Sequence, residues 1–534
     1  MSITMASITS MLLSPYVFLP VYFSLLPISL IIYRLYLHPL AKIPGPRLAA
    51  ITSLWYVYQI RKGHMQVLYT DLHKKYGPVV RISPNEVSFD SKEAYQAIYT
   101  GSHFIEKGDF YWALSNNPGR IDWRFRRHQG DAFAFNGELN MQRYRSHRKS
   151  IGTTYSASSL KKYSERLDEV MGRFVAKVKE QDGQVLDLTD WLHLAIVECL
   201  GAVTLNWSPG FIKEGSDHGF LAKSIKFWRE VTTFGSLQQF LLAAQKWPSL
   251  RPRIAKLFGV EIKLSADYVP FEPVTVSIIK ERTAKFLSSE IQEKAVSPSQ
   301  DPDMLTELLH VTTKKADWKP HYASAMASFN FVAGHETTTS IATSAIVCMC
   351  SDAAIKARVQ AELREHNGDM DKCRYTQACI KEVLRMRPVT SLALWRKVPA
   401  NGPPLTLHGY TIPAGTTVGV NVPAMHLNPA NFGADAAAFR PERWLEEPDA
   451  WRELDRLSLA WGGGAHTCPG RNLAELMLHK VVPVVMREFD VEIVEMPPPE
   501  AMDSFTYIAI MTGVKARFLA RGKEEGVLSK RVRA

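Results

Sequence analysis

Trp461-Gly462-Gly463-Gly464-Ala465-His466-Thr467-Cys468-Pro469-Gly470 is the stretch on which the fold turns. Its glycines permit a tight loop that other residues follow only with strain. They leave Cys468 just before a helical pattern running from Arg471 to Met486. A sulfur at a helix amino terminus meets unpaired backbone amides, which favour the thiolate and suit it to an anionic metal ligand. An inert core cysteine is the ordinary alternative, but a glycine-rich loop leading into a helix is odd packaging for one.

Upstream, a helical pattern opens at Pro320, a residue suited to a first turn, and stays apolar or small as far as Cys350. Glu336 is the only formally charged residue between Lys319 and Asp352. A helix this free of charge is buried on most sides, so a carboxylate within it needs a partner or a task. Either a structural ion pair or a chemical role answers that need. Its setting is Ala333-Gly334-His335-Glu336-Thr337-Thr338: Gly334 permits close approach or local opening of the helix, and Thr337 puts a hydroxyl beside the acid. Thr339 stands where a zinc protease would carry its second histidine, so that reading fails.

Between these two stretches lies Glu382-Val383-Leu384-Arg385, a pair at i and i+3 on a helix that ends near Pro388. Alone it is a commonplace solvated pair. Phe439-Arg440-Pro441-Glu442-Arg443-Trp444 adds Arg443, which can complete a buried ionic triad with Glu382 and Arg385.

The chain has 534 residues, a net charge of +11, 46% hydrophobic and 22% charged residues. That composition excludes a disordered chain, a collagen-like fibre and a polytopic membrane protein. The basic residues are scattered and no zinc-finger or RNA-binding motif is present, so nucleic acid is not an expected partner. Six cysteines without C-x-x-C spacing suit a reducing compartment better than a disulfide scaffold.

Residues 1–33 hold no Asp, Glu, Lys or Arg, and Met11 to Tyr33 is an apolar run broken by a few serines and by Pro15, Pro20 and Pro27. As a helix it reaches roughly 34 Å, enough for a bilayer core of about 30 Å. A cleaved signal peptide is the alternative, but the run is long and lacks a basic leader. Arg34, Lys42 and Arg47 follow the span, which orients the body toward the cytosol. The organisation expected is a lead at 1–10, a transmembrane anchor at 11–33, a basic and proline-containing hinge at 34–47 through Ile43-Pro44-Gly45-Pro46, one large helical domain at 48–522, and a charged tail at 523–534. The fold class is mainly α with small β-sheets (α+β), with strands at Val79–Ile82, Glu86–Phe89 and Phe489–Ile493.

The ordered set of motifs resembles the cytochrome P-450 family, in its fungal microsomal form, across essentially the whole chain. Ala333-Gly334-x-Glu336-Thr337-Thr338 matches the family's oxygen-activation motif, Glu382-x-x-Arg385 its structural pair, and Phe439 to Trp444 its arginine-bearing meander. The cysteine loop matches F-x-x-G-x-[RH]-x-C-x-G, Gly464 included, with Trp461 in place of the usual Phe. The segment between Ala361 and Tyr375 is shorter than the family pattern.

The resemblance implies a single helical P-450 fold that binds heme b (iron protoporphyrin IX) through Cys468, a role cysteine holds in this family. It implies that Glu336 and Thr337 orient water and feed protons during insertion of one oxygen atom from O2. His466, Arg396 and Arg148 then hold the haem propionates, with Tyr144 replacing the Trp of the W-x-x-x-R clamp, while Trp461 shields the sulfur. Phe329, Ala333, Val389, Leu392 and Phe505 wall a hydrophobic pocket suited to a polyketide, terpenoid or alkaloid intermediate. The Trp228 to Trp247 stretch covers it.

The chain has no G-x-G-x-x-G loop. The expected electron source is therefore a separate NADPH-cytochrome P-450 reductase, with cytochrome b5 as a further donor, on the endoplasmic reticulum membrane. A reductase-independent haem-thiolate isomerase or dehydratase is the alternative reading, and a non-catalytic membrane haem sensor a third.

Overall fold

The computed structural model describes residues 25–101, 106–114, 120–121, 127–128, 133, 135–237, 246–250, 252–253, 256, 272–288, 302–446, 448–498 and 508–521. Met11 to Ser24 of the expected anchor, Phe505, the tail from 523, and part of the Trp228–Trp247 stretch lie outside these residues.

Two strands, β1 (Val79–Ser83) and β2 (Glu86–Phe89), form an antiparallel hairpin with Val79 opposite Phe89. Helix α1 (Met141–Ile151) starts where the Asn140 side chain accepts from the Arg143 amide at 3.0 Å. Helix α2 (Ser164–Lys179) and strand β3 (Val185–Asp187) lead into α3 (Leu188–Leu205), whose first turn is capped by Asp187 accepting from Asp190 N at 3.0 Å. Next come α4 (Phe220–Gly235), the 31-residue α5 (Pro320–Cys350) and α6 (Arg374–Met386). Strands β4 (Arg396–Lys397) and β5 (Thr417–Val420), helix α7 (Arg471–Glu488), and strands β6 (Phe489–Glu495) and β7 (Lys515–Ala520) complete the frame.

The four-stranded sheet runs β1-β2-β5-β4, with β2 and β5 parallel and the other pairs antiparallel. The sheet β6-β7-β3 is antiparallel and ties the end of the chain to the start of α3. Helices occupy most of the remaining described residues.

The core gathers around α5, which packs against α3, α6 and α7. Its lack of charge made it legible, and most of its second half is buried. The helix runs unbroken through Gly334, so the glycine serves close approach alone: a Cβ there would sit 3.1 Å from Leu200 on α3. The short connection before α6 is spanned by Glu362 on the preceding helix (Ala353–Glu365), whose carboxylate accepts from the Tyr375 and Thr376 amides in the first turn of α6, each at 2.8 Å.

Leu25–Leu37 is an apolar helix with Leu25, Leu26, Ile28 and Ile32 exposed. Among the described residues the one single helix that is long and apolar enough to cross a membrane is α3, and it is mostly buried in the core. The Ile43-Pro44-Gly45-Pro46 connector is fastened to the sheet, with Arg81 N donating to Pro44 O at 2.7 Å.

Candidate functional site

One internal cavity collects residues from α1, α5 and α7, the Cys468 loop and the segment before β4. Thr337, Ala333, Phe329, Val389, Trp461, His466, Cys468, Tyr144 and Arg396 all line it. The loop is set by contacts at both ends. Cys468 N donates to Trp461 O at 2.7 Å, closing the turn. Gly464, at φ +59°, lies so close to the Tyr99 carbonyl that a Cβ would fall 2.0 Å from that oxygen. No other residue fits there.

The sulfur sits at the amino end of α7. Burial pushes the Cys468 thiol up, and the Gly470 and Arg471 amides with the Arg148 charge pull it back only in part. The amide effect expected from sequence is therefore present but outweighed by desolvation. A coordinated metal ion would reverse that balance, because a coordinating thiol is deprotonated outright.

Cations gather beside it. Arg396 is buried, its Nη1 donating to Trp395 O at 2.9 Å. Tyr144 donates to Ala465 O at 3.2 Å, and its ring lies 4.7 Å from that of His466. Arg148, one turn further along α1, keeps a buried Nη1 with no hydrogen-bond partner. Lys107, which no motif marks, joins them through a bridge that pairs its backbone with Arg396. Its ammonium donates to Phe135 O at 2.9 Å and Asn136 O at 3.0 Å and lies 4.5 Å over the Tyr144 ring. Burial, with help from Arg396, pulls its pKa down to about 7. No Asp or Glu is found among the described residues lining the cavity. Glu138 offsets Lys107 from outside the lining, but buried positive charge in excess of its counter-charge calls for an anionic ligand.

On α5, Thr337 faces the cavity and its hydroxyl donates to Ala333 O at 2.7 Å. Glu336 does not line the cavity. It is fully buried beside α4, where its Oε2 accepts from the Trp228 indole at 2.5 Å. Burial pushes this carboxyl up to about 8, against the opposing hydrogen bonds of Ser224 and Trp228, so the protonated acid prevails at neutral pH. Trp228 itself lines the cavity, whereas Trp247 is largely exposed.

The pair Glu382 and Arg385 is buried, not solvated. Arg385 Nη2 lies 2.7 Å from Glu382 Oε1, Arg443 Nε reaches the same oxygen at 2.9 Å, and Trp444 Nε1 donates to Oε2 at 2.9 Å. Burial raises the Glu382 carboxyl, but the arginines outweigh it and hold it below its usual range.

One expected wall residue is misplaced. Leu392 lies at a bend between the Thr390 and Ala393 bridges and packs with Trp395 and Tyr111 in a separate cluster, so Leu394 and Thr390 line the cavity in that region.

A sequence model of the cytochrome P-450 family matches residues 44–517. The chain belongs to the cytochrome P-450 family. It is 38% identical to the cytochrome P-450 monooxygenase sdnT of Sordaria araneosa, over 92% of this chain and 93% of that protein. It is 29% identical to a pisatin demethylase of Fusarium vanettenii, over 88% of each chain, and 28% identical to the cytochrome P-450 monooxygenase gsfF of Penicillium aethiopicum, over 93% and 96%. Membership in the P-450 family implies haem iron, dioxygen and reducing equivalents. The cavity fits that cofactor: it offers a sulfur freed to ionise by a metal, a loop with no room for added bulk, and an excess of buried cations suited to two carboxylates.

Proposed function

We propose that this chain is a haem-thiolate monooxygenase that inserts one oxygen atom from O2 into a hydrophobic small molecule of the polyketide, terpenoid or alkaloid class. The observation that carries the reading is that Cys468, Thr337 and a buried cluster of cations share one cavity. The relatives' names, monooxygenase and demethylase, support an oxidation.

In this reading Cys468 is the metal ligand, Arg148, Arg396, His466, Lys107 and Tyr144 hold the cofactor's carboxylates, and Trp461 covers the sulfur. Bound haem supplies the dioxygen chemistry, which thiolate donation favours. The chain's own residues bind, exclude water and move protons. Thr337 offers its hydroxyl at the cavity wall, where it orders water. Glu336 holds a proton one residue away and passes it toward that wall. Phe329, Ala333, Val389 and Ile508 give the substrate an apolar surface. Glu382, Arg385 and Arg443 keep the meander against α6 and so hold the cysteine loop in place.

The domain is carried on an endoplasmic-reticulum membrane by an anchor at Met11–Tyr33 and faces the cytosol. The exposed apolar face of Leu25–Leu37 supports this. Electrons arrive from an NADPH-dependent reductase, with cytochrome b5 as an accessory donor. A surface groove beside the cysteine loop, where Lys92, Lys381, Arg452, Arg456 and Arg471 outnumber Glu453, Asp455 and Glu475, is net basic and supports docking of an acidic partner.

The test is metabolite profiling of the native organism beside a strain carrying Cys468→Ala. An accumulated precursor, paired with a lost product richer by one oxygen or derived from such a species, supports the reading. Loss of a product that differs from its precursor only by isomerisation or loss of water contradicts it.

A further inference from the structure

His335 and Glu336 are neighbours on α5, yet the mechanism above uses only the acid. The histidine is the inner end of a row of titratable side chains that leads to the surface. Its Nε2 lies 3.8 Å from Glu336 Oε2. Its Nδ1 lies 2.9 Å from Nε2 of His193 on α3. Nδ1 of His193 lies 3.0 Å from Oδ2 of Asp217, in the turn that opens α4. Both imidazoles are buried, while the Asp217 side chain is 15% exposed. Phe220 stacks on His335 with centroids 4.2 Å apart and lies 5.3 Å from His193, covering the row on one side.

Two buried histidines in line between an internal acid and a surface carboxylate are costly furniture for a core that apolar side chains would fill as well. Packing does not require them. A chain of alternating donors and acceptors does.

We propose that Asp217, His193 and His335 form a relay that returns a proton from solvent to Glu336 after each discharge into the cavity. The inference rests on the reading of Glu336 as the proton-holding acid. With Glu336 ionised, the Asp217 Oδ2–H bond breaks as His193 Nδ1–H forms. His193 Nε2–H then breaks as His335 Nδ1–H forms, and His335 Nε2–H breaks as Glu336 Oε2–H forms. One proton enters from water at Asp217, one arrives on Glu336, and nothing is oxidised or reduced. Each imidazole begins and ends neutral, as the opposite tautomer, and must return before the next passage.

Two features suit Asp217 to the outer position. Burial alone would raise its carboxyl, but His193 and the Leu221 and Gly219 amides hold it down to about 2, so it rests as an anion that attracts protons and, once transiently protonated, gives the proton up readily to His193. It also accepts from Gly219 N at 2.8 Å and Leu221 N at 2.9 Å, which fixes its direction. Two links are close contacts short of aligned hydrogen bonds, His335 Nε2 at 3.8 Å from Glu336 and His193 Nδ1, which has no hydrogen-bond partner although it lies 3.0 Å from Asp217, and small rotations of the two carboxylates close them.

Hydrogen–deuterium exchange at the Glu336 carboxyl tests this in haem-loaded ferric enzyme. Infrared difference spectroscopy identifies the protonated carboxyl by its loss in Glu336→Gln. After a jump into D2O, His193→Phe, which keeps an aromatic ring, is expected to slow its exchange at least tenfold. Asp217→Asn, which keeps the capping oxygen on a milder surface site, is expected to do the same even if the first variant folds poorly. Both should lower product formed per NADPH consumed. Exchange at the wild-type rate in Asp217→Asn overturns the relay. If Glu336→Gln itself leaves coupling unchanged, the reading of Glu336 fails instead, and the two outcomes are distinct.

Discussion

The Trp228 indole N–H donates to Glu336 Oε2 at 2.5 Å, joining the helix that covers the cavity to the central helix that lines it. This bond stabilises the ionised carboxylate, yet burial still leaves the acid protonated at neutral pH. Trp228→Phe removes the donor while keeping an aromatic wall. The carboxyl is expected to move further up from about 8. Infrared titration of its protonated band between pH 6 and 10 measures the shift, and an unmoved midpoint contradicts the role given to Trp228.

The Glu382 carboxylate serves two buried arginines at once, so deleting it strands two charges. Breaking a buried ion pair costs about 3–5 kcal/mol. Glu382→Ala is expected to lose that much stability, or to accumulate as misfolded protein. Chemical denaturation of Arg443→Met, which removes one charge along with its need for a partner, is expected to show a smaller loss. Equal losses would argue against a shared acceptor.

Acid should loosen the cysteine loop through His426. Its Nδ1 faces Arg385 O at 2.8 Å and its Nε2 accepts from Leu459 N at 2.9 Å, so the neutral ring bridges α6 to the loop. Burial lowers its pKa from the ordinary 6.5 to about 3. The unfolded chain takes up a proton near 6.5 and the folded chain refuses it until about 3. Stability from this group is therefore complete above pH 6.5 and lost as pH falls toward 3, by up to a few kcal/mol. His426→Asn should flatten the pH profile in that window even as it lowers stability throughout.

Lys107 is expected to contribute to cofactor retention as much as the arginines do. A hydrogen bond to a charged group contributes roughly 1.5–3 kcal/mol, or about 10- to 100-fold in affinity. Transfer of haem from Lys107→Met and from Arg148→Ala to an acceptor protein should be faster by that order. Wild-type transfer rates in Lys107→Met would remove it from the site.

Much of the frame was legible because its signals are local. Pro320 and the absence of charge marked α5, short strand patterns flanking the turn-like Ser83-Pro84-Asn85 marked β1 and β2, alternation marked β6, and glycines marked the cysteine loop. The triad of Glu382, Arg385 and Arg443 was legible as a possibility, since a shared helix face puts two members together and only the fold brings the third. Lys107 was invisible because nothing about Glu106-Lys107-Gly108 signals a bridge to Arg396, nearly three hundred residues away in the chain. His193 and Asp217 likewise acquire meaning only when α3 and the turn before α4 meet α5. Leu392 was misread for the opposite reason: an apolar residue in a plausible segment was turned into a different cluster by a bend that hydropathy does not reveal.

The central claim is that Cys468 supplies a thiolate to haem iron. The most direct measurement is the carbon-monoxide difference spectrum of reduced membranes carrying the wild-type chain, Cys468→Ala or Cys199→Ala, each at matched protein level. Cys199 is a buried thiol on α3, away from the cavity lining. The thiolate-type band is expected in the wild type and in Cys199→Ala, with its complete loss in Cys468→Ala. A thiolate-type band that survives in Cys468→Ala would contradict the central claim.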